Sequence, residues 1–153
     1  MTALERIEQY LKQKDVRYEV LHHATAYTAQ RIAQAEHIPG KMQVKVVMIK
    51  ADGQFYMAVL PAVAHVNVEA FGKFVGKTCR LATEAEFKDL FPDCDIGAMP
   101  PFGSFYKMPV YADALLEEDD QIVFQAGTHT ESVRIAWDDY VKLEKPTLTH
   151  FGR

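Results

Sequence analysis

The chain has 153 residues, of which 48% are hydrophobic and 25% are charged, and its formal net charge is -4. These values are typical of a globular protein with its own core. The acidic balance argues against broad binding to DNA or RNA, which needs a basic surface that displaces counterions. No apolar stretch is long enough to cross a bilayer. We therefore expect a single domain over residues 1–153, with neither DNA nor a membrane as a partner.

Residues 1–14 carry charges along an amphipathic pattern and lack an apolar central region, so we do not expect a signal peptide. Cys79 and Cys94 belong to no CxxC motif. We therefore expect a cytoplasmic protein in which both are free thiols, packed rather than catalytic. The sequence alone leaves a disulfide between them open.

The first half of the chain predicts two helices and a hairpin. Over residues 2–14, apolar residues recur at helical spacing and form one face of a helix. The next segments have the patterns of further elements. The expected elements are an extended segment at 17–23, a helix at 28–37 ended by Pro39-Gly40, and strands at 42–50 and 55–61 that flank a turn at Asp52-Gly53.

The second half mixes short helices and strands. Asn67 is a candidate cap for a helix over 68–76, and Thr83 with Glu86 forms a capping box. Further expected elements are a loop at 93–105, a strand at 108–113, a helical turn at 114–120, strands at 121–126 and 132–137, and a helix at 137–144. Strands interspersed with helices predict an α+β domain with a curved, mixed or antiparallel sheet.

Lys45 is the first candidate site residue, because its neighbours in the strand VKVVMI are apolar on both sides. Alternation along the strand puts it on the same face as Val47 and Ile49. One interpretation is an ammonium at the floor of a pocket, where burial lowers its pKa. The other is a side chain that extends along an edge strand until its head reaches water. The strand pattern leaves both open.

The second candidate is the sequence GAMPPFG, residues 97–103. Gly97 permits backbone conformations that other residues avoid, and the two prolines stiffen the turn while removing two N–H donors. The donors that remain are the N–H groups of Gly97, Ala98 and Met99, and fixed N–H groups can stabilise a developing oxyanion. A turn that only packs beneath a sheet is the simpler alternative.

The third candidate is the turn that begins at Gly127, where Thr128 and His129 bring a hydroxyl and an imidazole together. His129 could bind a hydroxyl group or position a water molecule, or it could be an ordinary exposed turn residue. The chain contains no Walker loop, GxGxxG, HExxH or Cys/His cluster. We therefore expect no metal and no cofactor.

Together these three features, in this order and spacing, resemble the YbaK-like family, the free-standing relatives of the editing domain inserted in bacterial prolyl-tRNA synthetase. The similarity covers nearly the whole chain, including the sequence HATAYTAQRIAQA before the lysine strand. The resemblance implies a compact α+β fold around a curved, barrel-like mixed β-sheet flanked by helices. It also implies hydrolysis of the ester that joins a wrong amino acid to a tRNA, with the mischarged tRNA 3′ end as partner and a prolyl-tRNA synthetase as a further candidate partner.

The resemblance also implies roles for individual residues. Lys45 would contact the substrate near the tRNA 3′ end, and the backbone from Gly97 to Pro101 would lie beside the aminoacyl carbonyl. Val46 stands where relatives often carry a polar residue, Tyr27 stands where they often carry an aromatic one, and the turn at 127–129 varies among them.

The hypothesis is a deacylase that needs no protein nucleophile, because an aminoacyl ester is already activated. The nucleophile would be water or the free ribose hydroxyl, and pocket size would admit alanyl or cysteinyl esters of tRNA-Pro while excluding the prolyl ester. A non-catalytic sensor of tRNA or nucleotides, using Lys45 with Arg31, Lys41 and Lys50, is the first alternative. A hydrolase of unrelated small esters or amides is the second.

Overall fold

A computed structural model describes residues 1–23 and 41–153 of the chain. The α-helices in these ranges are α1 Ala3–Gln13, α2 Val68–Val75, α3 Glu84–Phe87 and α4 Trp137–Glu144. The strands are β1 Tyr18–His22, β2 Val44–Ala51, β3 Gln54–Pro61, β4 Arg80–Leu81, β5 Val110–Asp113, β6 Gln121–Gln125, β7 Glu131–Ala136 and β8 Thr147–Thr149. Short 3₁₀ helices span Lys88–Leu90, Gly103–Phe105 and Ala114–Glu118.

The described strands form two sheets. One is antiparallel with strand order β1-β7-β6, and the other is mixed with order β4-β2-β3-β5-β8, in which β5 is parallel to both neighbours. A single parallel bridge between Gln43 and Val123 connects the sheets. The α+β class with mixed sheets is confirmed, although the described strands do not close into one barrel.

Local sequence signals account for most of these elements. The β2–β3 hairpin turns at Asp52 and Gly53, both with positive φ, at 50° and 76°. Asn67 caps α2, and the capping box of Thr83 and Glu86 begins α3. The structure also shows β4 and β8, which the sequence did not predict because two- and three-residue strands are too short for a periodic pattern. The helix expected at 28–37 and Tyr27 lie outside the described residues.

The strand alternation of β2 and β3 separates two apolar clusters. The larger cluster contains Val44 and Met48 of β2 together with α1, the loop after α3, β6, β7 and α4. The smaller cluster, on the opposite face, contains Ile49 of β2, Leu60 of β3 and Phe71 of α2. Because neighbouring residues of a strand point to opposite faces, Lys45 lies on the Ile49 face, as the sequence predicted.

Candidate active site

A small cavity lies where β2 of the mixed sheet meets β6 of the antiparallel sheet. Its volume is about 200 Å³, and the described residues that line it are Val44, Lys45, Val46, Gly97, Met99, Phe124 and Gln125. Two of the three segments singled out in the sequence, the lysine strand and the loop at 97–101, therefore meet at one opening. We refer to this space as the site cavity.

Lys45 contributes the only cationic side chain among the described residues that line the site cavity. The side chain is partly buried, and no other described residue forms a hydrogen bond or an ion pair with it. Burial lowers the pKa of the Lys45 ammonium, because desolvation disfavours the charged form. An ammonium that is partly desolvated and lacks a counter-charge is ready to bind an oxygen atom of a ligand.

The loop at 93–105 is anchored from behind. The buried Tyr140 hydroxyl of α4 donates a 2.7 Å hydrogen bond to the Pro101 carbonyl. Phe102 is fully buried, and its ring meets that of Phe124 edge to face at 5.2 Å. A side chain at Gly103 would collide with Val110 and the Met108 backbone. Pro101 thus lies behind the site cavity, where it stiffens the loop without lining the space.

The first part of this loop contains a β-turn over Asp95–Ala98, in which the Ala98 N–H donates to the Asp95 carbonyl at 3.0 Å. Gly97 occupies the third position with φ of 85°, as a type II turn requires. The prediction of three free donors was therefore wrong for Ala98, whose N–H closes the turn. The N–H groups of Gly97 and Met99 make no hydrogen bond within the described ranges.

The turn at 127–129 supports the loop instead of lining the site cavity. The Gly127 N–H donates to the Ala98 carbonyl at 2.9 Å, and the Gly127 carbonyl accepts from the Asp95 N–H at 2.8 Å. Thr128 directs its hydroxyl to the Glu131 carboxylate at 3.1 Å. His129 packs against the same loop, because its Cε1 lies 3.6 Å from the position that a Cβ at Gly97 would take.

The side chains around the site cavity include no recognisable protein nucleophile. No serine, threonine, cysteine or carboxylate is among the described residues that line it. Cys79 and Cys94 are free thiols, as predicted. Burial, with the nearby Asp93 carboxylate, raises the pKa of Cys94 to about 12, so this thiol is not an activated nucleophile. The described ranges also contain no group of three metal-ligating side chains and no helix able to cross a membrane.

Gln125 is the site residue that the sequence reasoning missed. It ends β6, is 5% exposed, and its Oε1 has no hydrogen-bond partner within residues 1–23 and 41–153. The alternation of β6 contained the signal, because Ile122 and Phe124 face the larger cluster while Gln125 points the other way. A polar residue on a strand this deeply buried requires a partner, and a ligand can be that partner.

Comparisons with known proteins identify relatives of this chain in sequence and in fold. The chain is 28% identical over 155 residues to the "Multifunctional Ser/Thr-tRNA deacylase ProXp-y" of Escherichia coli strain K12, covering 97% of this chain and 92% of the relative. A crystal structure of a candidate trans-editing enzyme for prolyl-tRNA synthetase superposes with a TM-score of 0.84 at 20% identity, covering 100% of this chain and 98% of the other. The hypothetical protein APE2540 superposes with a TM-score of 0.87 at 17% identity, over 96% and 99% of the two chains. These two likenesses concern the fold.

The family description "Aminoacyl-tRNA editing domain" matches residues 23–143, which include the lysine strand, the loop at 93–105 and β6. The match therefore covers every described residue that lines the site cavity. The chain belongs to the aminoacyl-tRNA editing domain family.

Proposed function

We propose that this protein is a trans-editing deacylase that hydrolyses the ester between a small amino acid and a mischarged tRNA after a synthetase has released it. The observation that supports the proposal most directly is that Lys45 and the turn of Gly97 and Met99 line the same small cavity. Family membership identifies the protein as an aminoacyl-tRNA deacylase. The amino acid, the tRNA and the roles of individual residues are part of the proposal.

The mechanism relies on positioning and on oxyanion stabilisation. The Lys45 ammonium binds a phosphate or hydroxyl oxygen of the terminal adenosine, which holds the ester at the mouth of the site cavity. The free N–H groups of Gly97 and Met99 then stabilise the negative charge that develops on the ester carbonyl. Because both donors belong to a loop braced at Pro101 and Gly127, they need no reorganisation as the charge develops.

The nucleophile is water or the free hydroxyl of the terminal ribose, since the described lining offers no alternative. Attack of water on the carbonyl forms a tetrahedral intermediate, and its collapse breaks the ester bond, returns a proton to the ribose oxygen and releases the amino acid. If the free ribose hydroxyl attacks first, the acyl group moves to that oxygen, and water then hydrolyses the new ester in the same way. The volume of the site cavity is smaller than the roughly 300–1,000 Å³ that is typical of sites for drug-sized ligands. A space of this size accepts a small side chain.

Size selection favours alanyl and cysteinyl esters of tRNA-Pro, and a ring such as that of proline is excluded sterically. The name of the E. coli relative adds seryl and threonyl esters to the candidates. The proposed partner is the mischarged tRNA 3′ end, and a prolyl-tRNA synthetase that delivers it is a further candidate. The cytoplasm, where charged tRNA is used, is the location that we propose with these partners.

The test is a panel of tRNAs charged with labelled alanine, cysteine, serine, threonine or proline. The expected result is faster loss of label than the uncatalysed rate for at least one small amino acid, with prolyl-tRNA spared. A mock preparation from cells that do not express the protein, purified in parallel, measures any contaminating hydrolase. Tight binding of tRNA without excess hydrolysis of any ester would show a sensor instead of an enzyme.

The sensor alternative would use the basic residues Lys41 and Lys50, but each already has an acidic partner. Lys41 lies 3.3 Å from Glu118, and Lys50 lies 3.0 Å from Glu86. Arg31, the third residue of that alternative, lies outside the described residues. A hydrolase of unrelated small esters is distinguished by an aminoacyl-adenosine substrate, on which it would be as active as on full-length charged tRNA.

A further inference from the structure

Gln125 is one of the described residues that line the site cavity, and its amide oxygen is buried. The residue is 5% exposed, and its Oε1 has no hydrogen-bond partner among the described residues. A buried polar atom without a partner destabilises a protein. An occupant of the site cavity that hydrogen-bonds this amide would remove that penalty, and its chemistry can be inferred from the surroundings.

The position of Gln125 follows from the way the two sheets meet. The parallel bridge joins Gln43 to Val123, and no further bridge between the described parts of β2 and β6 follows it. Two residues beyond the bridge on each strand are Lys45 and Gln125, and both line the site cavity. A residue with a cationic side chain and a residue with a neutral amide therefore line the same small space.

The presence of Lys45 in the lining makes a second cation unfavourable inside the site cavity. The described lining includes Lys45 but no carboxylate, so an ammonium group placed beside Gln125 would meet a like charge without compensation. The α-ammonium of an aminoacyl group is therefore a poor partner for this amide. A hydroxyl group is neutral and can both donate and accept, so it can bond either end of a glutamine amide.

We propose that Gln125 is a specificity-determining residue that hydrogen-bonds the side-chain hydroxyl of the amino acid to be removed. The preferred substrates are then esters of hydroxylated amino acids, with serine favoured over alanine although both are small. This inference rests on the proposed function, since it assigns a substrate class to the same site. It depends on the amide of Gln125 and not on the roles of Lys45 or Gly97.

The test compares one tRNA charged with serine or with alanine, using wild-type protein and the Gln125→Leu and Gln125→Met variants. Since the amide oxygen has no partner in the free protein, an apolar side chain of similar size removes no internal bond to this atom, and the fold should survive. We expect the ratio of kcat/KM for the seryl over the alanyl ester to fall about tenfold, as one lost hydrogen bond predicts. The alanyl rate itself should change little.

Gln43→Leu is the matched control. Gln43 is a fully buried glutamine whose amide also lacks a partner in the structure, but its side chain does not line the site cavity. The seryl-to-alanyl ratio should be unchanged in this variant. An equal loss of kcat/KM for both esters in Gln125→Leu would show that the amide contacts a group shared by all substrates. No change in kcat/KM for either ester would show that the amide contacts no substrate. Each of these results would overturn the proposal.

A second measurement separates this inference from the proposed function. Stable 3′-amide analogues of seryl- and alanyl-adenosine are titrated into wild-type and variant proteins, and binding is followed by calorimetry. If wild type hydrolyses no ester but binds the seryl analogue in a Gln125-dependent manner, hydrolysis is refuted and the hydroxyl assignment stands. If hydrolysis occurs with no Gln125-dependent preference in either assay, the deacylase stands and this assignment is refuted.

Discussion

Lys45 and Lys50 lie on the same strand, each between apolar neighbours, and yet the structure gives them opposite environments. Lys50 binds the Glu86 carboxylate at 3.0 Å and lies 5.0 Å from the centre of the Phe55 ring. Lys45 has no such partner among the described residues, and burial lowers its pKa. Lys50 is thus a structural residue whose charge is paired, whereas Lys45 lines the site cavity and remains available to a ligand.

The difference teaches that burial and charge together do not distinguish the two lysines; the absence of a counter-charge among the described residues does, and it makes Lys45 the candidate for a functional role. A partly buried cation is usually paired because desolvation is unfavourable. Arg80 also binds Glu86, at 2.7 Å, so the pair at Lys50 belongs to a network. Lys45 instead shares the site cavity with Gly97 and Met99, whose backbones offer N–H donors and whose side chains carry no acidic group.

The largest effect is expected for Lys45. Replacing it with alanine, or with methionine to keep the apolar stem, should reduce kcat/KM at least about 10²-fold, as loss of a positioned donor does elsewhere. Stability should stay within about 1 kcal/mol of wild type, because no ion pair is lost. Single-turnover deacylation and urea unfolding measure the two quantities. A variant that retains full activity would remove Lys45 from the mechanism.

A substitution at Gly97 tests the part of the site cavity that the loop at 93–105 forms. Gly97→Val should reduce activity about tenfold or more, because φ of 85° is strained for a β-branched residue, by about 1–3 kcal/mol. Crowding contributes little, since among the described residues an added Cβ would meet only the His129 Cε1, at 3.6 Å. Gly53→Val is the matched control, with φ of 76° at an exposed turn. If both variants lose activity equally, general destabilisation and not the site explains the loss.

The pH dependence follows from the lowered pKa of Lys45. Activity needs the ammonium, so kcat/KM, corrected for uncatalysed hydrolysis, should fall as pH rises through a value below the ordinary 10.5 of lysine. Stability should change in the opposite direction. In that range the unfolded chain binds more protons than the folded one, so the free energy of unfolding rises with pH. Lys45→Met should lack this rise, and its persistence there would assign the effect to another group.

His129 should have an intermediate role. His129→Ala should lower kcat/KM less than about tenfold, a loss below about 1.4 kcal/mol of transition-state stabilisation, because the imidazole packs against the loop without lining the site cavity. The exposed His150 provides the control substitution. A loss as large as that of Lys45→Ala would instead assign His129 a direct contact with the substrate.

Lys50 should show the smallest effect. Lys50→Ala should leave deacylation unchanged and lower the urea midpoint only slightly, because Arg80 remains bound to Glu86 and partly exposed ion pairs contribute little. High salt should reduce the difference from wild type further. A clear loss of deacylase activity in this variant would contradict the distinction between the two lysines and favour a broad basic surface for tRNA.

Much of this fold was predictable because its signals are local. The caps at Asn67 and Thr83, the Asp52-Gly53 turn and the strand alternation each depend on a few adjacent residues. The error at Ala98 was also local, since a glycine in the third position of DIGA indicates a type II turn that uses the following N–H. The short strands β4 and β8 depend on pairing with distant partners, and so they had no signal of their own.

The sequence by itself determined the α+β class, the face of β2 on which Lys45 lies, and the stiffness of the loop at 93–105, since propensity, alternation and proline geometry act over short distances. Only the tertiary structure decided which lysine of β2 lacks a partner among the described residues, which N–H groups of the loop make no hydrogen bond there, and that Gln125 lines the same cavity as Lys45. The physical reason is that pairing and burial depend on residues brought together from distant parts of the chain. Alternation indicates the face of a strand, but only packing determines what that face meets.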